Sequence, residues 1–201
     1  HNKQLGGGYT AGRVYLYIGP SGGGKSMLHL NQVRWFLTCN PNMVAYNPRL
    51  TPVVLYVTLE NDIDETHERN FAINVPKSVR GNNSLKDYSE EEVLDLYENA
   101  GLFSGPSTFH IKYRRHRSIN TADVEVMMDE LEDEGYECRM LIVDYTKRIR
   151  PVHEVKDMRI DLGEVINDFS GIAKARRIPV ITSAQMNGDG MKALEEAEDM
   201  N

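Results

Sequence analysis

"GPSGGGKS", residues Gly19 to Ser26, stands between the apolar run Val14-Tyr15-Leu16-Tyr17-Ile18 and a stretch in which Leu30, Val33 and Leu37 recur at helical spacing. The pattern is Gly19-x-x-x-x-Gly24-Lys25-Ser26, with strand character before it and helix character after it. Each residue type has a chemical use. Glycines let the backbone curl so that successive N–H groups converge on an anion. A helix beginning near Lys25 adds the positive end of its dipole. The lysine can reach the outer phosphates of a nucleotide, and the serine hydroxyl can ligate Mg²⁺. Gly19, Pro20, Ser21, Gly22, Gly23, Gly24, Lys25 and Ser26 are therefore expected to bind the phosphates of a nucleotide.

Outward from this loop, short apolar runs alternate with helical patterns. Val53 to Val57, Phe109 to Ile111, Met140 to Val143 and Val180 to Thr182 have the β-branched and aromatic content of strands, and their near-continuous apolarity suits cover on both faces. Val124, Met128 and Leu131 form a helical stripe behind an Asn120-Thr121 start signal. Leu162, Val165, Ile166, Phe169 and Ala173 form another, ahead of the stop at Pro179. Residues 76–107, rich in Asn, Ser, Gly and acidic groups, are read as a helix-containing insertion or loop. The expected fold is α/β: a mainly parallel sheet with helices on both faces, in a single domain over residues 1–201.

Composition narrows the function classes. The chain of 201 residues is 40% hydrophobic and 26% charged, as in an ordinary water-soluble domain. No apolar stretch approaches the roughly 20 residues that cross a bilayer, so no membrane partner is expected. Two cysteines about a hundred positions apart, Cys39 and Cys138, suit a reducing, cytoplasmic compartment and offer no metal cluster. A net charge of −7 argues against a chain-wide nucleic-acid surface but leaves room for a local one. The acidic runs at 89–92, 129–137 and 195–199 read as solvated helix faces.

Ligands of open parallel sheets gather at the carboxyl ends of the strands. Three polar residues lie just past such ends: Glu60, Asp144 and Gln185. Asp144, ending an apolar strand, is the expected Mg²⁺ ligand together with Ser26. Glu60 can orient or deprotonate an attacking water, with Asp62, Asp64 and Glu65 as neighbouring alternatives. Gln185 can sense the γ-phosphate by hydrogen bonding. Lys25, Glu60 and Gln185 are the candidate catalytic residues.

Taken together these segments resemble the RecA-type ATPases, most of all the motor domain of DnaB-type hexameric replicative helicases. The resemblance lies in "GGGYTAGRVYLYIGPSGGGKS" (6–26), "YVTLEND" (56–62), "INTADVEVMMDEL" (119–131), "MLIVDYTKRI" (140–149), "LGEVINDFSGIAKARRIPV" (162–180) and "VITSAQMN" (180–187). It implies a RecA-like P-loop fold, Glu60 as catalytic carboxylate, Asp144-Tyr145 as the Walker B pair and Gln185 as phosphate sensor. It also implies a homo-hexameric ring moving on single-stranded DNA during replication. Lys147-Arg148 departs from the Leu-Gln the family has there. The family's trans-acting arginine and last strands would follow Asn201, so the sequence is expected to be a fragment, or else a minimal, phage-type member acting in a host cytoplasm. Two rival readings stand beside the helicase: a recombinase- or clock-type remodelling ATPase that does not unwind DNA, and a nucleotide-binding assembly module with incidental hydrolysis.

By the same resemblance, DNA-binding loops follow the Walker B and sensor strands. The first holds Lys147, Arg148, Arg150, Lys156 and Arg159, a locally positive stretch able to track a phosphate backbone. The second is Asn187 to Lys192, glycine-rich with one cation. A third basic patch, Lys112-Tyr113-Arg114-Arg115-His116-Arg117, reads as a solvated turn or subunit contact, with base stacking by Tyr113 as the alternative.

Overall fold

The structure is a computed structural model and describes residues 8–145, 149–150 and 158–185, the side chains of 158–161 excepted. Strand β1 (Val14–Gly19) leads through the glycine loop into helix α1 (Lys25–Cys39). Then come β2 (Thr51–Thr58), α2 (Ile63–Asn74), a single turn α3 (Lys77–Arg80), a 3₁₀ turn at Leu85–Asp87, and α4 (Glu90–Asn99). Strand β3 (Thr108–Tyr113), α5 (Thr121–Asp133), β4 (Tyr136–Asp144), α6 (Met158–Arg176) and β5 (Val180–Gln185) complete the order. The expected parallel α/β architecture is present, and 76–107 is the helix-containing insertion.

All pairings in the five-stranded sheet are parallel, in the order β1-β5-β4-β2-β3. From β1 the chain passes over two strand positions to β2, then on to β3. After β3 it reverses direction across the sheet and also changes face, which keeps the crossovers of one hand. Two cores result. On one face α1, α2 and α4 pack Leu30, Val33, Leu37, Phe71 and Tyr97 against Val54, Tyr56, Met140, Ile142 and Ile181. On the other, α5 and α6 pack Val124, Met128, Leu131, Val165, Phe169 and Ala173 against Val53, Leu55, Val57, Leu141, Val143 and Val180. Successive side chains of β2 thus feed opposite cores, which is why its sequence is apolar without alternation.

The helix starts follow local chemistry. Asp62, Ser89 and Asn120 each accept a hydrogen bond from the backbone N–H three residues on, and Ser89 and Asn120 do so in reciprocal capping boxes with Glu92 and Asp123. Two expectations need correction. Strand β1 is an edge strand whose Ile18 is 60% exposed, so it is not covered on both faces. The run 129–137 is not one helix face: α5 ends before Gly135, which adopts φ +92°, and Glu137 already lies in β4. There Glu137 is buried, accepting hydrogen bonds from Tyr46 N at 2.7 Å and Asn47 N at 2.8 Å. Its ion pair with Arg139 spans 3.3 Å, and the Arg139 guanidinium lies 3.5 Å over the Tyr46 ring. Both cysteines are free thiols, Cys39 exposed and Cys138 in the core.

Candidate functional site

Parallel strands bring their carboxyl ends to one edge, and the register fixes which ends are neighbours. Gly19 pairs with Gln185 across β1 and β5, and Thr58 pairs with Asp144 across β2 and β4. Leu59 N–H donates to Asp144 O at 2.8 Å, which sets Glu60 beside the end of β4. The result is one open cleft of about 400 Å³ lined by Ser21 to Met27, Glu60, Asn61, Arg69, Asp144, Tyr145 and Gln185. Every expected catalytic and metal-binding residue lies on it.

The glycine loop has the form its sequence suggests. Gly22 and Gly24 adopt φ +70° and +77°, and a Cβ on either would meet nothing within 4 Å. Backbone conformation rather than space is what demands glycine there. Gly24 is the N-cap of α1, which has no side-chain cap and no acidic residue in its first turn. Its leading N–H groups are therefore left to an external anion. Lys25 folds back over the loop, its Nζ donating to Gly19 O at 3.1 Å and Pro20 O at 2.5 Å.

Asp144 is buried at the cleft floor. Its Oδ2 accepts from the Tyr56 hydroxyl at 2.9 Å, while its Oδ1 is buried without a hydrogen-bond partner. A carboxylate oxygen left over beside a hydroxyl-bearing phosphate loop fits a hard divalent cation, held directly or through water. Burial and the neighbouring Asp144 push the Tyr56 phenol well above its ordinary range, so it stays a donor. One turn beyond Lys25, buried His29 shares a 2.9 Å Nδ1–Oε1 contact with Gln32. Burial holds its imidazole below the usual range, against an opposing pull from Asp144.

Three contributors escaped the sequence reading. Tyr56 looked like one more apolar strand residue. Arg69 reaches the cleft from α2, its Nη2 paired with Glu65 Oε1 at 2.6 Å. Asn61 lies between them, its amide oriented to donate to Glu65 and accept from Arg69. The i, i+4 spacing of Glu65 and Arg69 was the available signal. Among the expected DNA-binding residues, Arg150 is exposed, and its N–H donates to Ile119 O at 3.0 Å. Lys147, Arg148, Lys156 and the Arg159 side chain lie outside the described residues, as does the loop Asn187 to Lys192. Among the described residues, no helix is long and apolar enough to cross a membrane.

Comparison with known proteins bears on the whole chain. A family model described as a divergent DnaB-like ATPase matches residues 1–200. Among solved structures, the chain is similar to that of a DnaB-like replicative helicase, determined in a study of its interactions with primase. The similarity has a TM-score of 0.60 at 15% identity, over 90% of this chain and 41% of that one. This chain thus spans about two fifths of that helicase's length. A search of curated proteins returned no match.

Proposed function

The chain belongs to the divergent DnaB-like ATPases, and from that premise we propose that it is the motor domain of a DNA helicase, coupling ATP hydrolysis to movement along single-stranded DNA during replication. The observation that carries this reading is the meeting of Lys25, Ser26, Glu60, Asp144 and Gln185 on one cleft. The loop from Gly19 to Ser26 holds the phosphates through its N–H groups, with Lys25 exchanging its carbonyl partners for phosphate oxygens. Ser26 and Asp144 would hold Mg²⁺, which would supply positive charge against the transferred phosphoryl group. Glu60 orients and deprotonates the attacking water. Gln185, beside Gly19 in the sheet, hydrogen-bonds the outer phosphate and passes its loss to the segment that follows.

In the proposed assembly, copies of the chain form a hexameric ring in the cytoplasm. Lys147, Arg148, Arg150, Lys156 and Arg159 then present positive charge to the strand in its pore. An acidic chain can work this way when its positive potential is confined to the channel. The deciding experiment measures ATP hydrolysis by the assembled protein with and without single-stranded DNA, followed by duplex unwinding. Stimulation and unwinding are expected. Hydrolysis indifferent to DNA would favour a remodelling ATPase, and biological activity surviving Glu60→Gln would favour an assembly module.

A further inference from the structure

The patch at the end of β3 runs against the charge of the chain: Lys112, Arg114, Arg115 and Arg117 fall within six residues of a protein with net charge −7. Arg115, His116 and Arg117 are exposed. Among the described residues neither Arg114 nor Arg115 is in an ion pair. Tyr113 is exposed beside them, and with Arg114, Arg115, His116 and Ser118 it lines a shallow open depression. A tight turn fixes the tip: Ser118 N–H and Oγ both donate to Arg115 O, at 3.1 Å and 2.7 Å, and Arg117 adopts φ +55°.

Two backbone connections give the patch its meaning. Arg150 N–H donates to Ile119 O at 3.0 Å, and Arg150 bridges Asn120 in parallel. Arg150, itself basic, is therefore tied to the same corner as the patch. On the other side, Arg114 N–H donates to Thr58 O at 3.0 Å. The Thr58 hydroxyl in turn donates to Asn61 O at 2.9 Å, closing the turn that carries Glu60. One residue, Thr58, thus touches both the basic corner and the glutamate turn.

We propose that residues 113–117 form a single-stranded DNA backbone site, with Tyr113 as a stacking platform, and that its occupancy is read through Thr58 at Glu60. Guanidiniums flanking an exposed phenol in an open depression suit a flexible phosphodiester strand, which supplies both anionic charge and aromatic faces. The coupling half of the proposal rests on the motor reading above.

The test measures binding of a fluorescein-labelled oligothymidylate by anisotropy, from about 50 to 200 mM salt, alongside ATP hydrolysis. The double variant Arg114→Gln/Arg115→Gln should bind severalfold more weakly, with the slope of log affinity on log salt reduced by about 1.4, some 0.7 for each lost contact. Arg49→Gln, which removes one positive charge just before the opposite end of β2, should bind like the wild type. Thr58→Val, isosteric at a buried site, should bind the oligonucleotide normally but lose its stimulation of hydrolysis. Wild-type affinity and slope in the double variant would overturn the proposal. So would a double variant that binds normally but loses self-association in sedimentation, which would make the patch a contact between copies. Absence of any hydrolysis in the wild type would refute the motor reading and the coupling with it, while the binding measurements would still decide the DNA site.

Discussion

The Tyr56 hydroxyl donates to Asp144 Oδ2 at 2.9 Å from within β2. It is the sole hydrogen bond orienting that carboxylate among the described residues, because Oδ1 has no partner. Tyr56→Phe keeps the ring in its core and removes the donor. The expected cost is about 1–3 kcal/mol in denaturant unfolding, from stranding the second buried oxygen. The Mg²⁺ concentration for half-maximal hydrolysis should rise about 10–100-fold, as for loss of an outer-shell partner. A stability loss with unchanged Mg²⁺ dependence would reduce Tyr56 to packing.

Glu60 is exposed at the cleft mouth, on a turn rather than in the core. Glu60→Gln should therefore fold and bind ATP as the wild type does, while hydrolysis falls about 10²–10⁴-fold. Equilibrium binding of a fluorescent ATP analogue separates the two effects. Weakened binding with little change in turnover would pass the base role to Asp62, Asp64 or Glu65.

Buried His29 gives the fold an acid sensitivity. Its folded pKa lies below the ordinary unfolded value, so the neutral form is the one the fold accepts. Its contribution is complete above about pH 6.5 and is lost as pH falls from there toward the depressed value, at no more than about 1.4 kcal/mol per pH unit. His67 and His110, also lowered by burial, add in the same direction. Urea midpoints followed down from neutral pH should fall, and His29→Gln should fall less steeply. Parallel profiles would assign the sensitivity to the other two histidines.

Glu137→Ala removes a buried carboxylate that holds two backbone N–H groups and Arg139. A loss of about 3–5 kcal/mol is expected, because the arginine, its side chain only 13% exposed, is left unpaired. Glu137→Ala/Arg139→Met should recover part of it in thermal unfolding. A double variant no more stable than the single would show that the anchoring of Tyr46 and Asn47 dominates.

What could be read from the sequence depended on how local each cause was. The glycine loop was legible because its conformation and chemistry reside in eight consecutive residues. Glu60, Asp144 and Gln185 were legible because each terminates an apolar run, and parallel sheets collect such ends. Tyr56 was not, since its hydroxyl finds Asp144 only through the register that pairs Tyr56 with Ile142. Glu137 was hidden by its acidic neighbours until Gly135 turned the chain into β4. The exposure of β1 depends on strand order, which the sequence of elements leaves open.

That order has a mechanical consequence. β5 alone joins the strand of the glycine loop to the strand of Asp144, and its two seams are unequal. It is matched to β1 from Val14 through Gly19, but to β4 only from Leu141 through Val143. Gly19 and Gln185 are stitched into one plank, Thr58 and Asp144 into another. The two halves of the cleft thus meet along a short seam, where three residue pairs hold the strand of Gln185 to the strand of Asp144.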